Sequence, residues 1–239
     1  MMRKVAALTQ RELSANFLSP VAYIVAAVFL VATGYLFMTN TLVEGAAASV
    51  RPLLDSMAWL LVFAIPLLTM RVLSDEFATG TIETLMTAPV SDAHVVLGKF
   101  LGVFLFYAVL LVMTLVHVGL LLAYGATDVG VVLYGYLGML LLGSLYVSAG
   151  VFASALTRHQ LLAAIVGMGL LSLFTLIVDW FAAWKGGAWR TVLSYVNILH
   201  HFEDFSKGIF DTKAVVFFVS GTLFFLFLAV KALESKRWR

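Results

Sequence analysis

Six apolar runs dominate this 239-residue chain, near residues 21–39, 53–73, 97–124, 131–156, 161–181 and 214–232. Each approaches the ~20 residues that a helix needs to cross a ~30 Å hydrocarbon core. Inside lipid a backbone must satisfy its own hydrogen bonds, so runs of this length become helices. The expected fold class is therefore an all-α membrane protein with six transmembrane helices, in one domain covering residues 1–239. Only 12% of residues are charged and the mean hydropathy is +1.03. A soluble domain carries about a quarter charged residues, so polar surface is too scarce here to cover a water-soluble globule.

The third and fourth runs are long enough to tilt or to project from the bilayer. Pro66, inside the second, suggests a kink that neighbouring helices can satisfy. Gly135, Gly138, Gly143, Gly150, Gly167 and Gly169 in runs four and five suit close helix packing better than a ligand path. A net charge of +2 argues against a nucleic acid partner, and with no Cys there is neither a disulfide nor a thiolate metal site. The N-terminus reads as having no removable signal peptide.

Orientation comes from Lys and Arg. With both termini on the cytoplasmic side, Arg3, Lys4, Arg11, Arg71, Lys99, Arg158, Lys231, Lys236, Arg237 and Arg239 fall inside. Arg51, Lys185, Arg190, Lys207 and Lys213 fall outside. The excess inside predicts cytoplasmic termini.

Three polar segments interrupt the apolar pattern. Residues 1–19 place Val5, Leu8, Leu13 and Phe17 on one half of a helical wheel, with Thr9, Glu12 and Asn16 spoiling it. They read as a helix along the cytoplasmic interface that enters the membrane at Ser19-Pro20, or alternatively as a solvated tail. Residues 71–99 carry Asp75, Glu76, Glu83 and Asp92 between two spans. Within them Ile82, Leu85 and Met86 fall at i, i+3, i+4, giving a short helix one small apolar face beside Glu83. Thr79 or Thr81 can cap that helix, Pro89 would end it, and Ser91 or Asp92 can cap the next. Residues 182–213 lie outside and hold a stripe of Tyr195, Ile198, Leu199, Phe202, Phe205 and Ile209. Asn197, His201, Asp204 and Lys207 fill the other face, with Glu203 and Lys207 an i,i+4 pair. That amphipathic segment is expected at the outer leaflet, just before the last span.

Chemistry is sparse. The phosphate loop GxxxxGK[ST] is absent: before Gly98-Lys99 the first Gly is replaced by Ala93, and after it Phe100 stands for the hydroxyl residue. His200 and Asp204 are one turn apart, but two ligands do not make a metal site. His117, inside the third span, is expected to hydrogen-bond a neighbouring helix, and Asp179, beside Trp180 and Trp184, to anchor the interface. There is no serine–histidine–acid order, no pair of membrane carboxylates and no HExxH. No catalytic residue is expected in this chain.

The segment from Gly80 to Phe100 resembles the cytoplasmic loop of ABC-2 type transporter permeases. The matching residues are Asp75-Glu76, Gly80-Thr81-Ile82-Glu83, Leu85, Pro89-Val90-Ser91 and Gly98-Lys99; Asp75 stands where Glu is commoner. Six spans, an N-terminal interfacial helix and an amphipathic segment before span six are similar as well. The short length and Leu199–Asp211 look like the gliding-motility and nitrous-oxide-reductase maturation permeases.

The resemblance implies a bacterial inner-membrane permease that pairs with a second permease chain, in a homodimer or heterodimer, and sits on two ABC ATPase subunits. ATP and Mg would be bound by those ATPases and no cofactor by this chain. Residues 74–92 would be the cytoplasmic coupling region. Its docking residues would be Asp75, Glu76, Thr79, Gly80, Thr81, Ile82, Glu83, Leu85, Met86 and Pro89. Three functions follow as alternatives: a transporter subunit, a mechanotransmitter acting on an extracytoplasmic partner, and a membrane scaffold without an ATPase.

Overall fold

The computed structural model describes residues 2–42, 49–81, 91–124, 128–185 and 195–237, and within them all regular structure is helical. Helix α1 (Met2–Phe17) precedes α2 (Pro20–Leu36), which runs into a π-helical turn, Phe37–Thr41. Helices α3 (Arg51–Thr69), α4 (Ser74–Thr79), α5 (Asp92–Tyr124) and α6 (Val129–Leu156) follow. Helix α7 (Gln160–Ser172) passes through a second π-helical turn, Leu173–Ile177, into α8 (Val178–Lys185). Helix α9 (Ile198–Ser206) precedes α10 (Thr212–Arg237).

Six helical stretches are long and apolar enough to cross a membrane: Pro20–Thr41, Arg51–Thr79, Asp92–Ala123, Val129–Leu156, Gln160–Ile177 and Thr212–Lys236. They coincide with the six runs read from the sequence. Helix α5, at 33 residues, is about 50 Å long and overshoots a ~30 Å hydrocarbon core.

Helix α6 is the axis of the bundle. Of its apolar window 72% is buried, against 28% for the stretch Gln160–Ile177. It packs against α3, α5, α7, α9 and α10, and glycines bring those neighbours close. A Cβ on Gly143 would lie 2.0 Å from the Tyr107 ring of α5, and one on Gly138 would lie 2.5 Å from Phe205 Cβ of α9. Gly135 and Gly150 seat Leu54 and Thr69 of α3 in the same way. The packing role expected of these glycines holds, except that Gly169 faces open space.

Several hydroxyls inside the spans are spent on their own helix, while those of Tyr107, Tyr136 and Ser144 reach across to a neighbouring helix. Thr33, Thr69, Thr175 and Thr222 each donate to the carbonyl four residues back, and Ser148 to the carbonyl three back. A hydroxyl bonded to its own helix satisfies itself in an apolar medium. His117 departs from expectation: its Nδ1 pairs with the carbonyl of Thr114 on its own helix, at 3.1 Å, while its ring meets Phe37 edge-on. The chain runs helically through Pro66, whose ring packs near Gly167 of α7.

Candidate functional site: the clamp around Lys99

The polar residues concentrate where α3 leaves the bundle, where α4 turns and where α5 begins. After Thr69 the backbone turns sharply and Ser154 of α6 pins the turn. Its hydroxyl accepts hydrogen bonds from the amides of Leu73 (3.0 Å) and Ser74 (3.1 Å) and donates to the carbonyl of Met70 (3.0 Å). Helix α4 ends at Gly80, whose φ of 73° is left-handed and suits a residue without Cβ.

Lys99 stands at the centre. Its side chain is only 6% exposed, and a buried ammonium is costly unless paired and hydrogen-bonded. Three partners surround Nζ: Glu76 Oε1 of α4 at 2.9 Å, Glu12 Oε2 of α1 at 3.2 Å, and the Val72 carbonyl at 2.6 Å. An ammonium has three N–H donors, and each has an acceptor here. One lysine therefore ties α1, α4 and the turn before α4 to the start of α5.

Glycines make this approach possible. A Cβ on Gly98 would lie 2.5 Å from Leu8 Cβ, and one on Gly102 would lie 2.6 Å from Glu12 Cβ. Helix α1 thus runs parallel to α5, Leu8 over Gly98 and Glu12 over Gly102, and further along Phe17 meets Phe106 edge-on. Its apolar half is turned onto α5. Glu12, which spoils the amphipathic pattern in sequence, is the residue that reaches Lys99.

A second set of contacts extends the clamp. Arg71 Nε donates to Asp75 Oδ2 at 3.0 Å, and Arg71 Nη1 donates to Ser19 Oγ at 2.8 Å. Ser19 in turn caps α2, and Gln160 Nε2 of α7 donates to Asp75 Oδ1. On the other side the Lys236 ammonium of α10 sits 3.9 Å from the centre of the Phe77 ring of α4. Every spanning helix therefore reaches this cluster, either directly or through its first or last turn.

A profile of the ABC-2 family transporter proteins matches residues 6–233, which is nearly all of the chain. The chain belongs to the ABC-2 transporter family. No curated protein matches it. This is a multi-pass permease subunit of an ABC transporter, from a family whose permeases associate with an ABC ATPase and a second permease chain.

The residues expected to dock fall into three groups. Asp75 and Glu76 are engaged inside the protein, with Arg71 and Gln160 and with Lys99, so their carboxylates hold α4 in place. Thr79, Gly80 and Thr81 are exposed at the end of α4, and the Thr79 and Thr81 hydroxyls are 2.9 Å apart. Ile82, Glu83, Leu85, Met86 and Pro89 lie outside the described residues, as does the short helix expected there. The sequence marks Lys99 only as half of the Gly98-Lys99 motif and Glu12 only as a break in an apolar face, and nothing in it pairs the two. The signals were a lone Lys between apolar residues, a lone Glu on an apolar helix face, and glycines at 98 and 102, one turn apart.

At the far end α9 packs its apolar stripe onto the bundle. Ile198, Phe202 and Phe205 are buried against α6 and α3, and Gly138 leaves room for Phe205. Tyr195 and Ile209 of the same stripe are exposed. Asn197 caps α9 by accepting from the amides of Leu199 (2.7 Å) and His200 (3.2 Å). It also donates to the Thr175 carbonyl at 2.9 Å, inside the π-helical turn after α7. His201 pairs with the Tyr195 carbonyl and stacks on Phe217, and no three metal-ligating residues gather among the described residues. The Asp179 side chain lies outside the described residues.

Proposed function

We propose that this chain moves a substrate across a bacterial inner membrane using ATP hydrolysed by two copies of a separate ATPase, with both termini cytoplasmic. The segment between Gly80 and Ser91 docks the ATPase, and ATP and Mg stay on that partner. The observation that supports this most is the clamp. Both stems of the segment, α4 and the start of α5, meet at the Lys99–Glu76 pair, and Glu12 adds α1. A push on the segment must then move α1, α4 and α5 together. Such a rigid node is what a mechanical linkage between two sites requires.

Glu83→Arg is the direct test. The variant permease is expected to lose co-purification of its ATPase while keeping its own melting behaviour; retention of the ATPase at the wild-type level would defeat the docking assignment. Lys99→Met is expected to keep ATPase binding and to lose permease-stimulated ATP hydrolysis.

A second reading, mechanotransmission to an extracytoplasmic partner, is favoured by the hydroxyls of the spans. Five of them donate to carbonyls of their own helix, which takes those five out of any polar lining for a hydrophilic cargo. It fits the likeness of Leu199–Asp211 to the gliding-motility and nitrous-oxide-reductase maturation group. ATP-dependent accumulation of a labelled substrate in vesicles favours transport. Nucleotide-dependent crosslinking at α9 without accumulation favours mechanotransmission.

A further inference from the structure

The end of the bundle remote from the clamp holds a polar cavity of about 260 Å³ between α3 and α9. Arg51, Asp55 and Trp59 line it from α3, and Leu199, His200 and Glu203 from α9. Drug-sized ligands occupy pockets of ~300–1,000 Å³, so this one has room for a small headgroup and not for a sugar chain.

Its charges are loosely paired. Arg51 Nε lies 3.7 Å from Asp55 Oδ2, and His200 Nδ1 lies 3.8 Å from Glu203 Oε1. Both separations exceed a hydrogen bond. Glu203 is also held by Lys207 at 3.2 Å, and the Ser206 hydroxyl borders Asp55. The cavity thus offers one guanidinium and two carboxylates, each with hydrogen-bonding capacity to spare. A guanidinium fork binds phosphate in a bidentate manner, and carboxylates accept from ammonium N–H groups. The Trp59 indole adds a face for a cation and belongs at a membrane–water boundary.

The surroundings of the cavity identify the source of such a zwitterion. Trp59 is 45% exposed and Phe63, one turn further along α3, is 48% exposed. Together they form an apolar track leading from the cavity toward the middle of the span. A soluble zwitterion has no use for that track; an acyl chain does. We propose that this cavity binds the headgroup of a phospholipid carrying a phosphate and a primary ammonium. Arg51 holds the phosphate, Asp55 and Glu203 receive the ammonium, and one acyl chain lies along Trp59 and Phe63. The assignment rests on membrane insertion alone and is independent of ATPase docking, so each can fail without the other.

The test is native mass spectrometry of the purified full chain in detergent. Phosphatidylethanolamine, phosphatidylglycerol and phosphatidylcholine with matched acyl chains are offered at equal concentration. Phosphatidylethanolamine is expected to be retained over phosphatidylglycerol roughly five-fold, the worth of about one hydrogen bond. Asp55→Asn should abolish that preference and Arg51→Gln should lower retention of all three lipids. Trp59→Leu should weaken retention with the preference intact. Lys231→Gln, at the clamp end, should change nothing. Equal retention of ethanolamine and glycerol lipids by the wild type would overturn the proposal. So would an intact preference in a normally melting Asp55→Asn variant. Free phosphoethanolamine competing as strongly as the lipid would overturn the lipid assignment as well.

Discussion

The two ends of this molecule carry the same residue types and use them in opposite ways. At the clamp Lys99, Glu12 and Glu76 have side chains 6%, 16% and 12% exposed. At the far end Lys207, Glu203 and Asp204 have side chains 36%, 48% and 44% exposed, at similar or longer separations. Distance alone would rank Lys99–Glu12 and Lys207–Glu203 as equals, both being 3.2 Å. Solvent makes them unequal. Water screens the outer pairs and competes for their hydrogen bonds, whereas burial leaves Lys99 few alternative partners. The charges of the clamp are therefore fixed in place, and those of the far end are open to other partners.

The largest difference between the ends should follow from removing Lys99. Lys99→Met strands two mostly buried carboxylates at the wall of a polar cavity of about 170 Å³, and breaking a buried pair costs up to about 3–5 kcal/mol. A fall in the melting temperature of the detergent-purified chain checks this. Making the partners neutral in the same chain, with Glu12→Gln and Glu76→Gln, is expected to restore most of the loss, because the penalty is uncompensated charge. If the triple variant melts as low as Lys99→Met, the clamp is held by packing and not by charge.

Next in size is the glycine seat at the other end. Gly138→Val drives a branched side chain into Phe205 and should cost about 1–3 kcal/mol. It should lift α9 from α6 and increase protease cleavage near residue 198, leaving the clamp untouched. Asn197→Ala comes third. It removes a helix cap and leaves the Thr175 carbonyl without its donor, for about 1–2 kcal/mol. Hydrogen exchange should quicken in α9 and in the turn Leu173–Ile177 together; acceleration in only one would break the link drawn between them. Smallest is Lys207→Ala, worth at most about 1 kcal/mol for a solvent-screened pair. A melting shift as large as that of Lys99→Met would erase the contrast between the two ends.

Hydropathy placed all six spans, since lipid imposes a length and a composition that can be counted residue by residue. The same counting finds the amphipathic α9 but not what its apolar stripe packs against. Its apolar stripe reads alike whether it faces lipid or protein, and only Gly138 on a distant helix turns Phe202 and Phe205 inward. The π-helical turns at Phe37–Thr41 and Leu173–Ile177 left no periodicity to detect. The resemblance to ABC-2 permeases places Asp75 and Glu76 among the docking residues, and it carries no information about what they touch within the chain. Arg71 is only an i,i+4 neighbour of Asp75 in the turn before α4, but Gln160 and Lys99 belong to distant helices, and no local pattern announces those two.

What the sequence determined by itself is the class of molecule: an all-helical, multi-pass membrane protein, because the cost of unpaired backbone in lipid leaves no other fold for such runs. The tertiary structure alone decided which charges matter. Glu12, Glu76 and Lys99 are separated by many residues along the chain, and their value depends on burial and on close approach over Gly98 and Gly102. Neither quantity exists until the helices have packed.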